Sequence, residues 1–152
     1  MNLVFNSNKG FNIMNKWLIS AATVLAMSSV VYAGNKEITV FQDPNCGCCD
    51  GWNQHMHDAG FKIKSIKTAN MTAVKEKLGV PLELASCHTA VVEGTGQIIE
   101  GHVPSAAVHK MLANASVKGV SAPGMPANSP GMGPMDGSLI TVDFDGQPFS
   151  KN

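Results

Sequence analysis

The chain has 152 residues, 11 basic and 11 acidic side chains, a formal net charge of zero and no arginine. That length suits one domain with a modest core. No basic stripe is available to neutralise a nucleic-acid backbone, so nucleic acid is set aside as a partner.

The first segment reads as a leader. Met14-Asn15-Lys16 is a short positive start, Trp17 to Val31 runs apolar and small, and Val31-Tyr32-Ala33 ends in a small-residue cleavage pattern. Residues 1–33 are therefore expected to be an upstream extension and a secretory signal peptide, with Met14 the true initiator. Residues 34–152 are the exported domain, and no membrane contact is expected after cleavage. An uncleaved N-terminal anchor is the competing reading.

Lys36 to Gln42 alternates toward Ile38, Val40 and Phe41 and predicts a first strand, ended by the turn chemistry of Asp43-Pro44-Asn45. Trp52, Met56 and Ala59 fall at helical spacing, which predicts a helix from about Asp50 to Ala59, closed by Gly60. Phe61 to Ile66 alternates and predicts a second strand. Asn70 or Thr72 can cap a second helix running through Leu78 and stopped by Gly79. Thr89 to Val92 and Gln97 to Glu100 predict a hairpin across Glu93-Gly94-Thr95-Gly96. A third helix is expected over Ala106 to Ala113. Val120 to Gly137 holds four prolines, four glycines and three methionines and is expected to be a loop or tail. Ile140, Val142 and Phe144 alternate after it and predict one final strand. The order β-α-β-α-β-β-α is that of a thioredoxin-like fold: an α/β domain with a mixed β-sheet flanked by helices, followed by the Met/Pro/Gly-rich loop and the final strand.

The four cysteines form two clusters, Cys46-Gly47-Cys48-Cys49 and Cys87 followed by His88. The first lies where a strand gives way to a helix, and a helix N-terminus lowers thiol pKa. Three thiols in four residues exceed what one disulfide needs, and a bridge between the adjacent Cys48 and Cys49 would be strained. The surplus points to a soft metal, with copper(I) favoured. Zinc competes, since closed zinc sites use four cysteines or three with a histidine. The spacing of Cys46 and Cys49 is also a redox spacing, with Cys46 the candidate nucleophile of a thiol–disulfide oxidoreductase. A purely structural disulfide framework is the plainest alternative.

The thioredoxin-like order would bring Cys87 and His88 against the first cluster, making His88 a candidate ligand. His55 and His57 are two apart on a helix and diverge, so they are expected to be solvated. His102 could lie near the site or simply bond the backbone. His109 reads as helix surface. Met56, Met71 and Met111 are core candidates. Met125, Met132 and Met135 lie in the Gly/Pro segment, where helical packing cannot be invoked, and Met125 is the best candidate to catch copper. Trp52 could shield the sulfurs or serve the core.

Several motifs in order resemble one family. Asp43-Pro44-Asn45-Cys46-Gly47-Cys48-Cys49, Trp52, His55-Met56 and Ala59-Gly60-Phe61 resemble the opening of the CopG-type copper-resistance proteins. Val80-Pro81, Leu84 to Ala90, Glu100 to Pro104, Ala122 to Pro126 and Ser129 to Met132 continue the likeness. The resemblance implies a periplasmic, thioredoxin-like protein of bacterial copper homeostasis, with a multinuclear copper cluster bridged by cysteine sulfurs. Carried onto matching positions, it implies that Cys46, Cys48, Cys49 and Cys87 hold more than one copper ion, with His88 and Met125 as outer ligands. It is also compatible with cycling between Cu(I) and Cu(II). A chaperone role would add other periplasmic copper-handling proteins as partners, with the methionine loop as the docking segment.

Overall fold

The computed structural model describes residues 36–152. The extension, the signal peptide and the Met14 start lie outside the described residues.

In chain order the elements are β1 (Glu37–Gln42), α1 (Gly47–Asp58), β2 (Lys62–Lys67), α2 (Met71–Leu78), β3 (His88–Val92), β4 (Ile98–Gly101), α3 (Ser105–Leu112), β5 (Gly119–Ala122), β6 (Ile140–Asp143) and β7 (Pro148–Lys151). The strands make one mixed sheet in the order β2-β1-β3-β4-β5-β6-β7. β1 runs parallel to β2 and β4 parallel to β5, while the other neighbours are antiparallel.

Alternation along the strands sorts the two faces. Ile38 and Val40 of β1 stand in register with Val92 and Ala90 of β3, and Ala90, Ile99 and Val120 continue across the sheet. These residues form the core with Trp52 and Met56 of α1 and Ala107, Val108 and Met111 of α3. Trp52, Met56 and Met111 are fully buried. The opposite face carries Thr39, Thr89, Glu100 and Ser121, all buried and polar, and α2 reaches it through Lys75.

The helix ends follow local chemistry. Asn70 Oδ1 accepts from Ala73 N and starts α2, and Gly79, at φ 67°, ends it in the left-handed conformation that favours glycine. α1 begins at Gly47, three residues before the sequence expectation, so Cys48 and Cys49 already lie in its first turn.

The C-terminal part differs from its expected form. The loop does not begin at Val120, because Gly119–Ala122 is a fully buried strand paired in parallel with β4. A parallel strand buried on both faces shows no alternation, and four residues leave no periodic signal. The single final strand is a hairpin of two, β6 and β7, turning at Asp145-Gly146. Among the described residues, no helix is long and apolar enough to cross a membrane.

Candidate metal centre

Sheet topology brings the chemistry together. β1, β4 and β5 end, and β3 begins, at one end of the sheet, since Gln42 is opposite His88, Thr89 opposite Glu100, and Gly101 beside Ala122. The segments leaving that end carry Cys46 to Cys49, Cys87, His102 and Met125.

The four cysteine sulfurs lie within 4.8 Å of one another. Cys46 and Cys49 form a disulfide, and Cys48 and Cys87 are free thiols. Cys48 Sγ lies 3.5 Å from Cys46 Sγ, and Cys87 Sγ lies 3.6 Å from Cys49 Sγ. Cys49 is fully buried, whereas the other three are partly accessible. Cys46 is the N-cap position of α1 and makes no side-chain cap, and Gly47 N, the first helical N–H, donates to Asn45 O instead. Burial, and then the neighbouring Cys48, push the Cys87 thiol up to about 11.

A second group shares two of these sulfurs: Cys49, Cys87, His88 and His102 also lie within 4.8 Å of one another. His88 and His102 are fully buried. His102 Nδ1 is 2.6 Å from the Pro130 carbonyl. A carbonyl only accepts, so Nδ1 carries the proton and Nε2 offers a lone pair. That lone pair lies 2.9 Å from Cys87 Sγ. His88 packs against Trp52, with ring centroids 4.5 Å apart. Its Nδ1 is 3.5 Å from Cys87 Sγ, and its Nε2 is buried with no hydrogen-bond partner. Burial, then His102, then Lys75 hold the His88 imidazole well below its ordinary value, and burial also lowers that of His102. Both rings are therefore neutral at neutral pH.

Two supports fix this arrangement. Glu100, fully buried, accepts from Ser86 N at 2.6 Å, Thr89 Oγ1 at 2.6 Å and Lys75 Nζ at 2.5 Å. It thus grips the chain on both sides of Cys87 and His88. On the other side, Gly131 packs onto α1. A Cβ there would lie 2.6 Å from both Cys48 O and Trp52 N, and Gly131 has φ 82°. That close approach delivers the Pro130 carbonyl to His102.

The structure thus gathers five of the six residues singled out from the sequence: Cys46, Cys48, Cys49, Cys87 and His88. Met125 lies in the loop that leaves the same end of the sheet, 45% exposed and at φ 55°. His102, whose role the sequence left open, lies with Cys49, Cys87 and His88 in the second group. The signal was present in the predicted hairpin, whose register sets the residues around Gly101 opposite the start of β3. Trp52 takes the core role: it is fully buried, donates to Val103 O at 2.8 Å and lies against His88. His55 departs from expectation: it is partly buried and its Nε2 accepts from Ser105 N at the start of α3. His57 is exposed as expected.

Two solved structures described as "Copper resistance protein copG", Forms 1 and 2, are 39% identical to this chain. Form 1 matches with a TM-score of 0.66, covering 76% of this chain and 96% of its own. Form 2 matches with a TM-score of 0.67, covering 77% and 98%. The chain belongs to the CopG family of copper resistance proteins. The family described as "Protein of unknown function, DUF411" matches residues 84–132, the stretch from before Cys87 to Met132. Among curated protein sequences, none matches. Within this CopG-family chain the matched stretch contains Cys87, His88, His102 and Met125. The CxCC cluster enters from outside it, on α1.

Proposed function

We propose that this chain is a periplasmic copper-binding protein of copper resistance, holding more than one Cu(I) ion between Cys46, Cys48, Cys49 and Cys87. The observation that carries this reading is the convergence of four sulfurs within 4.8 Å at one sheet end. The 39% identity to structures named for copper resistance supports the choice of metal. The donor set fits copper(I): thiolates and neutral imidazoles are soft or borderline ligands. His88 Nε2, buried without a partner, is a donor atom that a cation would satisfy. His102 joins His88 as a candidate ligand, and Met125 is kept as an outer one. Bound copper would supply one-electron chemistry between Cu(I) and Cu(II). The Cys46–Cys49 disulfide must be reduced before both sulfurs can serve as thiolates.

The core from β1 to α3 is read as thioredoxin-like, supported by the strand order β2-β1-β3-β4 and by a CxxC pair opening α1. Residues 1–33 are read as leader and upstream extension, which is what makes the periplasm the site of action. Partners in this reading are copper ions and other periplasmic copper-handling proteins.

The disulfide itself favours a second reading, a thiol–disulfide oxidoreductase using Cys46 and Cys49 on protein substrates. Copper titration of the reduced chain and its variants separates the two. Cys48→Ser should abolish multinuclear loading, and His88→Ala should weaken binding by about ten- to a hundredfold without abolishing it. Full copper retention in Cys48→Ser would end the bridged-cluster reading. Turnover of a dithiol partner by metal-free protein lacking Cys48 would favour the oxidoreductase.

A further inference from the structure

We propose that Cys87, His88 and His102 form a single-copper site of their own, which holds one Cu(I) ion while Cys46 and Cys49 are joined in the disulfide. The inference rests on the reading of this chain as a copper-binding protein and deepens it: oxidation lowers the capacity to one ion, not to none. The disulfide takes two of the four sulfurs and leaves Cys48 and Cys87 as free thiols. Of these two, only Cys87 belongs both to the four-sulfur group and to the group of Cys49, Cys87, His88 and His102. With Cys49 taken by the disulfide, the second group keeps one sulfur and two imidazoles. One thiolate with two imidazoles is a donor set that suits a single copper ion.

None of the three donors sits on α1, so the disulfide does not use them. Cys87 directly precedes β3, His88 opens it and His102 follows β4. His102 is arranged as ligating imidazoles generally are, with its other ring nitrogen bonded to a carbonyl. Nδ1 donates to Pro130 O at 2.6 Å, which leaves the Nε2 lone pair 2.9 Å from Cys87 Sγ. His88 Nδ1 is 3.5 Å from the same sulfur, and His88 Nε2 is buried with no hydrogen-bond partner. A fully buried ring bonded so poorly is costly unless a ligand uses it. The two rings stand edge to face with centroids 5.0 Å apart. At the bond lengths found for zinc, about 2.3 Å to sulfur and 2.0 Å to nitrogen, two donors of one ion stand about 3.5 Å apart. The His88 contact has that spacing. The His102 contact is a hydrogen bond, from which the sulfur withdraws when an ion replaces the proton. Cys87 is partly accessible, which gives the ion a way in. A sulfur-only ion between Cys48 and Cys87 is the competing arrangement, but it leaves both buried imidazoles unused.

The test uses the full chain, freed of metal by a chelator and carrying the Cys46–Cys49 disulfide, whose presence is checked by mass after alkylation. Cu(I) is added as its acetonitrile complex, without air and without a thiol reductant. Binding is read by competition with a coloured chelator and by copper-edge X-ray absorption. The proposal predicts one copper per oxidised chain, with sulfur and imidazole nitrogen both bound to it. It also predicts quenching of Trp52, whose ring centroid is 4.5 Å from that of His88. No bound copper, or copper bound by sulfur alone, overturns it. Outer partners of a ligating imidazole are worth about ten- to a hundredfold in metal affinity, so loss of a ligand itself costs at least as much. Cys87→Ser and His102→Gln should each weaken binding to the oxidised chain by about a hundredfold or more. Unchanged affinity in His102→Gln overturns the proposal, and the absorption spectrum of the unmutated chain decides it where a variant does not fold. The reduced chain, titrated in parallel, tests the cluster separately. Several ions in the reduced chain with none in the oxidised one overturns the single-copper site alone. One ion in both forms, bound by sulfur and imidazole, sustains that site and ends the cluster reading.

Discussion

Glu100 sits in the middle of β4, fully buried, and its oxygens hold Ser86 N, Thr89 Oγ1 and Lys75 Nζ. The Lys75 side chain is itself only 15% exposed, so this is a buried ion pair. Such a pair adds little net stability when intact, but removing one partner leaves an uncompensated charge. Glu100→Gln should therefore destabilise the chain by about 3 kcal/mol, read from the denaturant midpoint. Adding Lys75→Met should recover most of that loss. A cost for Glu100→Gln near zero would contradict the role given to the carboxylate. This clamp was not legible in the sequence. An acidic residue after Ile98-Ile99 reads as a strand end, and nothing in the spacing pairs it with a lysine 25 residues earlier. By contrast, the cysteine cluster was legible, because three thiols in four residues already demand an explanation other than packing. His102 lies between these cases: its neighbour across the sheet could be had from hairpin register, but its hydrogen bond to Pro130 depends on a loop fold.

At the scale of elements, α1 does two jobs along its length. Its first turn carries the sulfurs, and one turn later Trp52 and Met56 bury it against the sheet. Trp52→Ala removes the largest fully buried side chain, which also lies against His88, and should cost about 3–5 kcal/mol in chemical denaturation. A cost below about 1 kcal/mol would mean that the core does not lean on it. The segment after β5 is tied to the same helix at Gly131. Gly131→Ala meets both a backbone clash with Cys48 O and Trp52 N and a positive φ, so it should destabilise by more than the usual ~1 kcal/mol of a strained glycine replacement. It should also lower copper uptake, since the loop brings Pro130 to His102. Gly146→Ala, in the β6–β7 turn, has a positive φ but open space around it and should leave copper uptake unchanged. Equal uptake in Gly131→Ala and wild type would contradict this. The helices and β1 to β4, with the turn that joins β3 to β4, were readable because their periods and caps are local, whereas β7 was missed. β5 was not readable, because what makes Gly119–Ala122 a strand is the edge of β4 beside it.

At the scale of the molecule, the sheet sets six chemical side chains at one end, and three histidines in the fold are held in their neutral forms. Burial lowers His55, His88 and His102 from the ordinary 6.5. The unfolded chain then binds more protons than the folded one between those lowered values and 6.5, so stability rises with pH through that window. The stabilisation is complete above about pH 6.5 and is lost as pH falls below it. Thermal midpoints of the metal-free chain should therefore drop on mild acidification, before the carboxylates titrate. A midpoint that is flat or rises over that range would contradict the histidine assignment. Copper bound to His88 and His102 would compete with protons for the same lone pairs, so loading should also weaken as pH falls.

Copper content is the quantity on which the functional account turns. The most direct measurement is metal analysis combined with copper-edge and sulfur-edge X-ray absorption on protein purified from copper-stressed cells. The expected result is more than one copper per chain, with short copper–sulfur and copper–copper distances. Protein from the same cells carrying no copper, with its cysteines locked in disulfides, would contradict it.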